Sequence, residues 1–117
     1  MLTKDQILQA DDLEKETVDV PEWGGVVIVR AMTGLDRDQF EQSIYDSNVK
    51  SKKTNLDNIR ARLCALTLVD ESGALLFTLE DAKALGKKSA KALDRVFSVA
   101  QRLNGLSPDD VEDLAGK

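Results

Sequence analysis

The chain has 117 residues, 42% hydrophobic and 32% charged, with a formal net charge of −5; this balance fits one compact folded domain and not a disordered chain. So acidic a chain is a poor general partner for nucleic acid, because neutralising phosphates takes a clustered excess of Lys and Arg. Histidine is absent and cysteine occurs once, which removes the commonest general base, a structural zinc site and any internal disulfide.

Thr3 is placed to cap a short helix, "KDQILQA", that runs into the acidic residues Asp11, Asp12 and Glu14. An acidic run there is not the apolar centre of a secretory signal, and no stretch approaches the roughly 20 apolar residues of a membrane span. With a single thiol, which suits a reducing compartment, a cytoplasmic setting is expected. From Glu16 the residues alternate, with Glu16 and Asp19 expected outward and Val18 and Val20 inward, until Pro21 stops the strand. "PEWGG" is turn chemistry, and Val26 to Met32 reads as the return strand, so Glu16 to Met32 is predicted to be a β-hairpin.

Beyond Met32 the pattern turns helical. Thr33 or Asp36 supplies an N-cap, and Leu35, Phe40 and Ile44 sketch an apolar stripe. "SNVKSKKTN" has no periodicity and reads as a loop. Asn55 then caps a helix whose buried face is Leu56, Ile59, Leu63 and Leu66. "DESG" at 70–73 breaks that helix, and Leu75, Leu76 and Phe77 form a brief extended insert. Thr78 with Asp81 opens a short helix through Leu85 in the manner of a capping box. Gly86 interrupts, Ser89 caps again, and the longest helix runs to about Leu103 on a core face of Leu93, Val96, Phe97, Ala100 and Leu103. Asn104-Gly105 is a left-handed stop. Ser107 and Pro108 begin a short terminal helix within 105–117, able to detach from the rest. The expectation is one domain over 1–117, α+β and helix-rich, with an N-terminal hairpin at about 16–32 packed on five or six helices.

No catalytic constellation, cofactor loop or metal-ligand set emerges. Cys64 lies one position from the apolar stripe of its helix and reads as a small core residue, not a nucleophile. "WGGVV" lacks the spacing of a phosphate or dinucleotide loop. "SPDDVED" lacks the alternating ligands and central glycine of a calcium loop, so its acids belong to helix-dipole chemistry. Charge is unevenly placed: residues 1–22 hold two Lys against seven acids, while residues 50–62 hold three Lys and two Arg against Asp57 alone. Such poles can steer head-to-tail association of identical subunits, pair within one molecule, or simply be solvated.

The hairpin carries the best candidate for binding. Its second strand, Val26-Val27-Ile28-Val29, offers aliphatic side chains to both faces. Either Val26 and Ile28 or Val27 and Val29 should meet the helices, which leaves the other pair to a covering helix or to a partner. Unpaired strand edges can recruit another strand. Trp23, the only tryptophan, stands at the tip as an interface anchor or as a lid on its own turn. Trp23, Val26, Val27, Ile28 and Val29 are therefore the candidate protein-interaction residues.

"PEWGG", "VRAMTGLDRDQFE" and "ALDRVFSVAQRLNGLS", together with the longer stretches around them (Val18 to Glu41 and Ala61 to Lys117), resemble the tail assembly chaperones of long, non-contractile-tailed bacteriophages. The resemblance implies a non-catalytic protein without cofactors. Such a protein binds the long helical tape measure protein, keeps it soluble in the host cytoplasm, helps recruit tail tube protein, and leaves before the virion is complete. It also implies many copies, hence a homo-oligomer, and a second form lengthened at the C-terminus by a programmed frameshift, through which the tube protein is contacted. The alternatives are a small cytosolic adaptor that binds a single partner, a structural virion protein, and a carboxylate-dependent enzyme.

Overall fold

The computed structural model describes residues 1–45 and 58–106. In chain order the elements are helix α1 (Lys4–Gln9), strands β1 (Lys15–Val20) and β2 (Gly25–Arg30), helices α2 (Gly34–Tyr45) and α3 (Ile59–Ala65), strand β3 (Leu68–Val69), and helices α4 (Ala82–Leu85) and α5 (Ala90–Leu103). The expected α+β, helix-rich architecture is what forms. The predicted loop at 47–55, the cap at Asn55, Leu56 and the terminal helix from Ser107 lie outside the described residues.

The hairpin forms in the predicted place. β1 and β2 pair antiparallel from Lys15↔Arg30 to Val20↔Gly25. Pro21–Trp23 make one 3₁₀ turn between them, closed by Gly24 N–H donating to the Pro21 carbonyl at 3.0 Å. Gly24 takes φ 78° there, a left-handed conformation that a β-carbon penalises. One expectation fails: Glu16 does not point away from the valines. Side chains two apart share a face, so Glu16, Val18 and Val20 line the same side of β1. Glu16 lies at its margin, where Arg102 Nη2 on α5 donates to its carboxylate at 2.6 Å.

A third strand was not predicted. The helix expected to continue toward Asp70 stops at Ala65, where the Thr67 hydroxyl turns back to the Leu63 and Cys64 carbonyls at 2.9 and 3.2 Å. The chain then extends, and Leu68 and Val69 pair with Val29 and Ile28. The sheet order is β1-β2-β3. Asp70 holds the next turn, with its carboxylate accepting from the Ser72 N–H and hydroxyl and from the Ala74 N–H. These bonds hold its pKa below the ordinary aspartate value, the Ser72 side chain contributing most. The turn returns Leu75 to bridge Val69, so the predicted extended insert caps β3.

α3 and α5 lie at the centre of the core, with the sheet packed against α5. Leu93, Val96 and Ala100 of α5 are buried and Phe97 and Leu103 pack at the rim, as the stripe predicts. In α2, Phe40 and Ile44 are fully buried, but Leu35 is exposed. Five residues before Phe40, it falls off the helical repeat that places Phe40 and Ile44 on one face. Thr33, not Asp36, is the α2 cap, its hydroxyl accepting from Asp36 N–H at 3.0 Å. Arg62 is buried among these helices and donates to the Ser43 carbonyl and hydroxyl, tying α3 to α2.

α5 ends as predicted, and the hydrogen bonds define the manner. Leu106 N–H donates to the Gln101 carbonyl at 2.7 Å and Gly105 N–H to Arg102 at 3.2 Å, with Gly105 at φ 66°. This is a Schellman ending, completed by Leu106 folding back into the core.

Candidate protein-interaction surface

The register decides which aliphatic pair of β2 faces the helices. Val29 opposes Glu16 and Leu68, Val27 opposes Val18, and this is the face that packs on α5. Val29 is fully buried and Val27 half-buried. Val29 thus belongs to the packed interior, and Val27 packs against it from the margin. Val26 and Ile28 share the outer face with Thr17, Asp19 and Arg30.

That outer face is covered at one end. Arg30 Nη1 donates to the Gly73 carbonyl at 2.7 Å and Nη2 pairs with Asp36 at 3.4 Å, drawing the 70–73 turn and the start of α2 over it. Val69 is buried there and Ile28 half-buried. Toward the hairpin tip the cover ends, and Val26 is 65% exposed. β2 is flanked by β1 and β3 and Leu75 bridges β3, so among the described residues the strand edge left open is the outer one of β1. Lys15, Glu16 and Asp19 guard it in the way that charged residues discourage unspecific strand pairing.

Trp23 is both lid and wall. Its ring packs half-buried against the core, and its Nε1 is buried without a hydrogen-bond partner among the described residues. With Glu22, Phe77, Ala84, Leu85 and Lys88 it lines a groove of about 480 Å³ beside the hairpin tip. The 3₁₀ turn is fixed to α5 by Arg95, whose Nε donates to Glu22 at 3.1 Å. A hydrogen bond from its own backbone, then that from Arg95, and lastly the nearby Lys91, hold the Glu22 pKa below the ordinary glutamate value. Lys83, Lys87, Lys88 and Lys91 form an exposed lysine cluster in sequence, with Lys88 on the groove lining and Lys91 near Glu22, and none of them makes an ion pair among the described residues. Of the basic stretch at 50–62 only 58–62 is described, and there Arg62 is buried while Arg60 pairs within the molecule, with Asp94 of α5 at 3.2 Å.

α1 forms where Thr3 was expected to cap it, but it stands as an exposed arm. A capping box closes its first turn, Thr3 and Gln6 each bonding the other's backbone N–H. Yet none of its residues is buried, and Ile7 and Leu8 are 57% and 72% exposed, with Leu2 exposed just before the cap. The signal was present in the sequence. A six-residue helix with adjacent Ile7 and Leu8 has no apolar repeat that could seat it on a core.

Cys64 is buried, and burial, reinforced by the charge of Asp94, pushes its thiol up to about 12; it behaves as a core residue. Among the described residues no cluster of three or more His, Cys, Asp or Glu is placed to hold a metal. No helix among them is long and apolar enough to cross a membrane.

The described residues thus form a small α+β core with an apolar groove at the hairpin tip and an exposed apolar arm. The sequence model of the phage tail assembly chaperone family matches residues 4–117, and the chain belongs to that family. Among solved structures, the tail assembly chaperone of bacteriophage HK97 has the same fold. The TM-score is 0.59 at 21% identity, covering 85% of this chain and 94% of that one. A comparison with curated protein sequences gives no match.

Proposed function

We propose that this protein is a non-catalytic chaperone that binds the tape measure protein of its phage, keeps it soluble during tail assembly and helps gather tail tube protein around it. The observation that carries this reading is family membership across residues 4–117. The surface supports it: apolar side chains stand exposed at Val26, Ile7 and Leu8 while the net charge of −5 keeps the chain soluble. Coating a very long helical protein calls for many copies, so the chaperone works as a homo-oligomer. It acts in the host cytoplasm and leaves before the virion is complete. A form extended beyond residue 117 by frameshifting carries the contact to tube protein.

The experiment is co-expression of the untagged chain with a tagged tape measure protein from the same genome, followed by affinity capture. Stoichiometric excess of the chaperone over the captured tape measure supports coating. Its absence from the captured fraction, while the tape measure itself is recovered, overturns the reading.

A further inference from the structure

α1 and the Trp23 groove adjoin opposite ends of β1 along the chain. The arm leads into Lys15 at one end of β1, and the groove begins at Glu22 and Trp23 beyond Val20 at the other. The six residues of β1 set those two strand ends about 17 Å apart. The two ends also differ in chemistry. Residues 1–14 carry exposed Leu2, Ile7 and Leu8 together with Asp5, Asp11, Asp12 and Glu14, against Lys4 as the one basic side chain. None of those four acids makes an ion pair among the described residues, whereas Glu16 and Glu22, farther along, are held by Arg102 and Arg95. The groove has apolar walls from Trp23, Phe77, Ala84 and Leu85, with Lys88 on its lining, Lys87 next to it in sequence and Lys91 near Glu22. Its own acid, Glu22, is already engaged by Arg95.

We propose that the α1 arm of one copy docks into the Trp23–Phe77 groove of a second copy, with Ile7 and Leu8 in the groove and the arm's carboxylates against the lysine cluster. Arm and groove are different surfaces with no residue in common, so the contact is heterologous: each added copy presents a fresh arm and a fresh groove. Burial of two aliphatic side chains supplies the affinity, and the acid-to-lysine pairing sets the direction by disfavouring arm-to-arm and groove-to-groove contacts. The inference deepens the chaperone reading by naming the surface through which many copies line up, and it needs no tape measure protein to be tested.

The test is sedimentation velocity on the full chain over a concentration series, with circular dichroism confirming that each variant folds. Ile7→Asp/Leu8→Asp spoils the arm at side chains that touch no core. Ala84→Glu spoils the groove at an exposed position, by bulk and by repelling the acidic arm. The wild type is expected to grow with concentration. Each variant alone should associate at least about a hundredfold more weakly. An equimolar mixture of the two should form a heterodimer and stop, since one intact arm then meets one intact groove. The proposal is overturned if the wild type stays monomeric, if the arm variant assembles like the wild type, or if the mixture remains monomeric. A wild type that assembles in this way yet fails to capture the tape measure protein would remove the chaperone reading and leave the interface standing.

Discussion

The side-chain carbonyl of Asn104 accepts the backbone N–H of Met32 at 2.7 Å, while its amide donates to the Ala100 carbonyl at the same distance. One side chain thus closes the end of α5 and satisfies the connection between β2 and α2, a link spanning 72 residues of sequence. Met32 is itself buried, so water cannot readily replace the lost acceptor. Asn104→Ala should cost about 1–3 kcal/mol in urea denaturation at unchanged m-value. Asn104→Asp keeps the acceptor but sets a negative charge against the Ala100 carbonyl and the negative end of α5; it should also destabilise the fold.

The outer and inner valines of β2 should separate cleanly. Val29→Asp places a carboxylate in a fully buried position of the sheet and should abolish folding at ordinary temperature. Val26→Asp, at an exposed position on the other face, should leave the thermal midpoint within about 2 °C of the wild type and weaken capture of the tape measure protein. Circular dichroism melts of both variants, read beside the capture assay, separate packing from contact.

Trp23 makes a testable pair. Its ring supplies packing, but its buried Nε1 has no acceptor among the described residues. Trp23→Phe keeps most of the apolar contact and removes the unsatisfied donor, so its stability should lie within about 1 kcal/mol of the wild type. Trp23→Ala opens the groove wall against Phe77 and Leu85 and should cost about 2 kcal/mol, less than for a fully buried ring. Far-ultraviolet circular dichroism is the readout, because both variants lose the chain's only indole.

Cys64 gives the fold a pH dependence at the alkaline end. Its thiol titrates near 12 in the folded chain against an ordinary 9.0. Between those values the unfolded chain has released the proton and the folded chain has kept it. The contribution is therefore fully present below pH 9 and is lost as pH rises toward 12. Denaturation midpoints should fall through that window, and Cys64→Ala should fall less steeply. At pH 8 the thiol should resist alkylation in native buffer and react on unfolding.

The hairpin was legible because alternation, Pro21 and the Gly24-Gly25 pair all give the same answer, and the capped helices because Thr3, Thr78 and Ser89 sit before them with little competition. β3 was not legible. Leu68 and Val69 continue an apolar run begun by Leu63 and Leu66, and only pairing with a distant strand pulls them out of the helix. The Asn104 link was read as a helix stop because its partner, Met32, is far along the chain. For the candidate site, sequence alone identified the two aliphatic pairs of β2 but not which one faced the core. A strand buried in part on both sides gives no alternation to break the tie. The exposed arm was overlooked because its polar cap and short length read as an ordinary helix.

The central claim is that this chain holds the tape measure protein in solution, and the most direct measurement is the soluble fraction of that protein after expression with and without the chaperone. The account predicts that the tape measure protein moves from the pellet to the supernatant when the wild-type chain is present, and that Val26→Asp reduces the shift. A tape measure protein equally insoluble in both cases, with the chaperone folded and abundant, would contradict it.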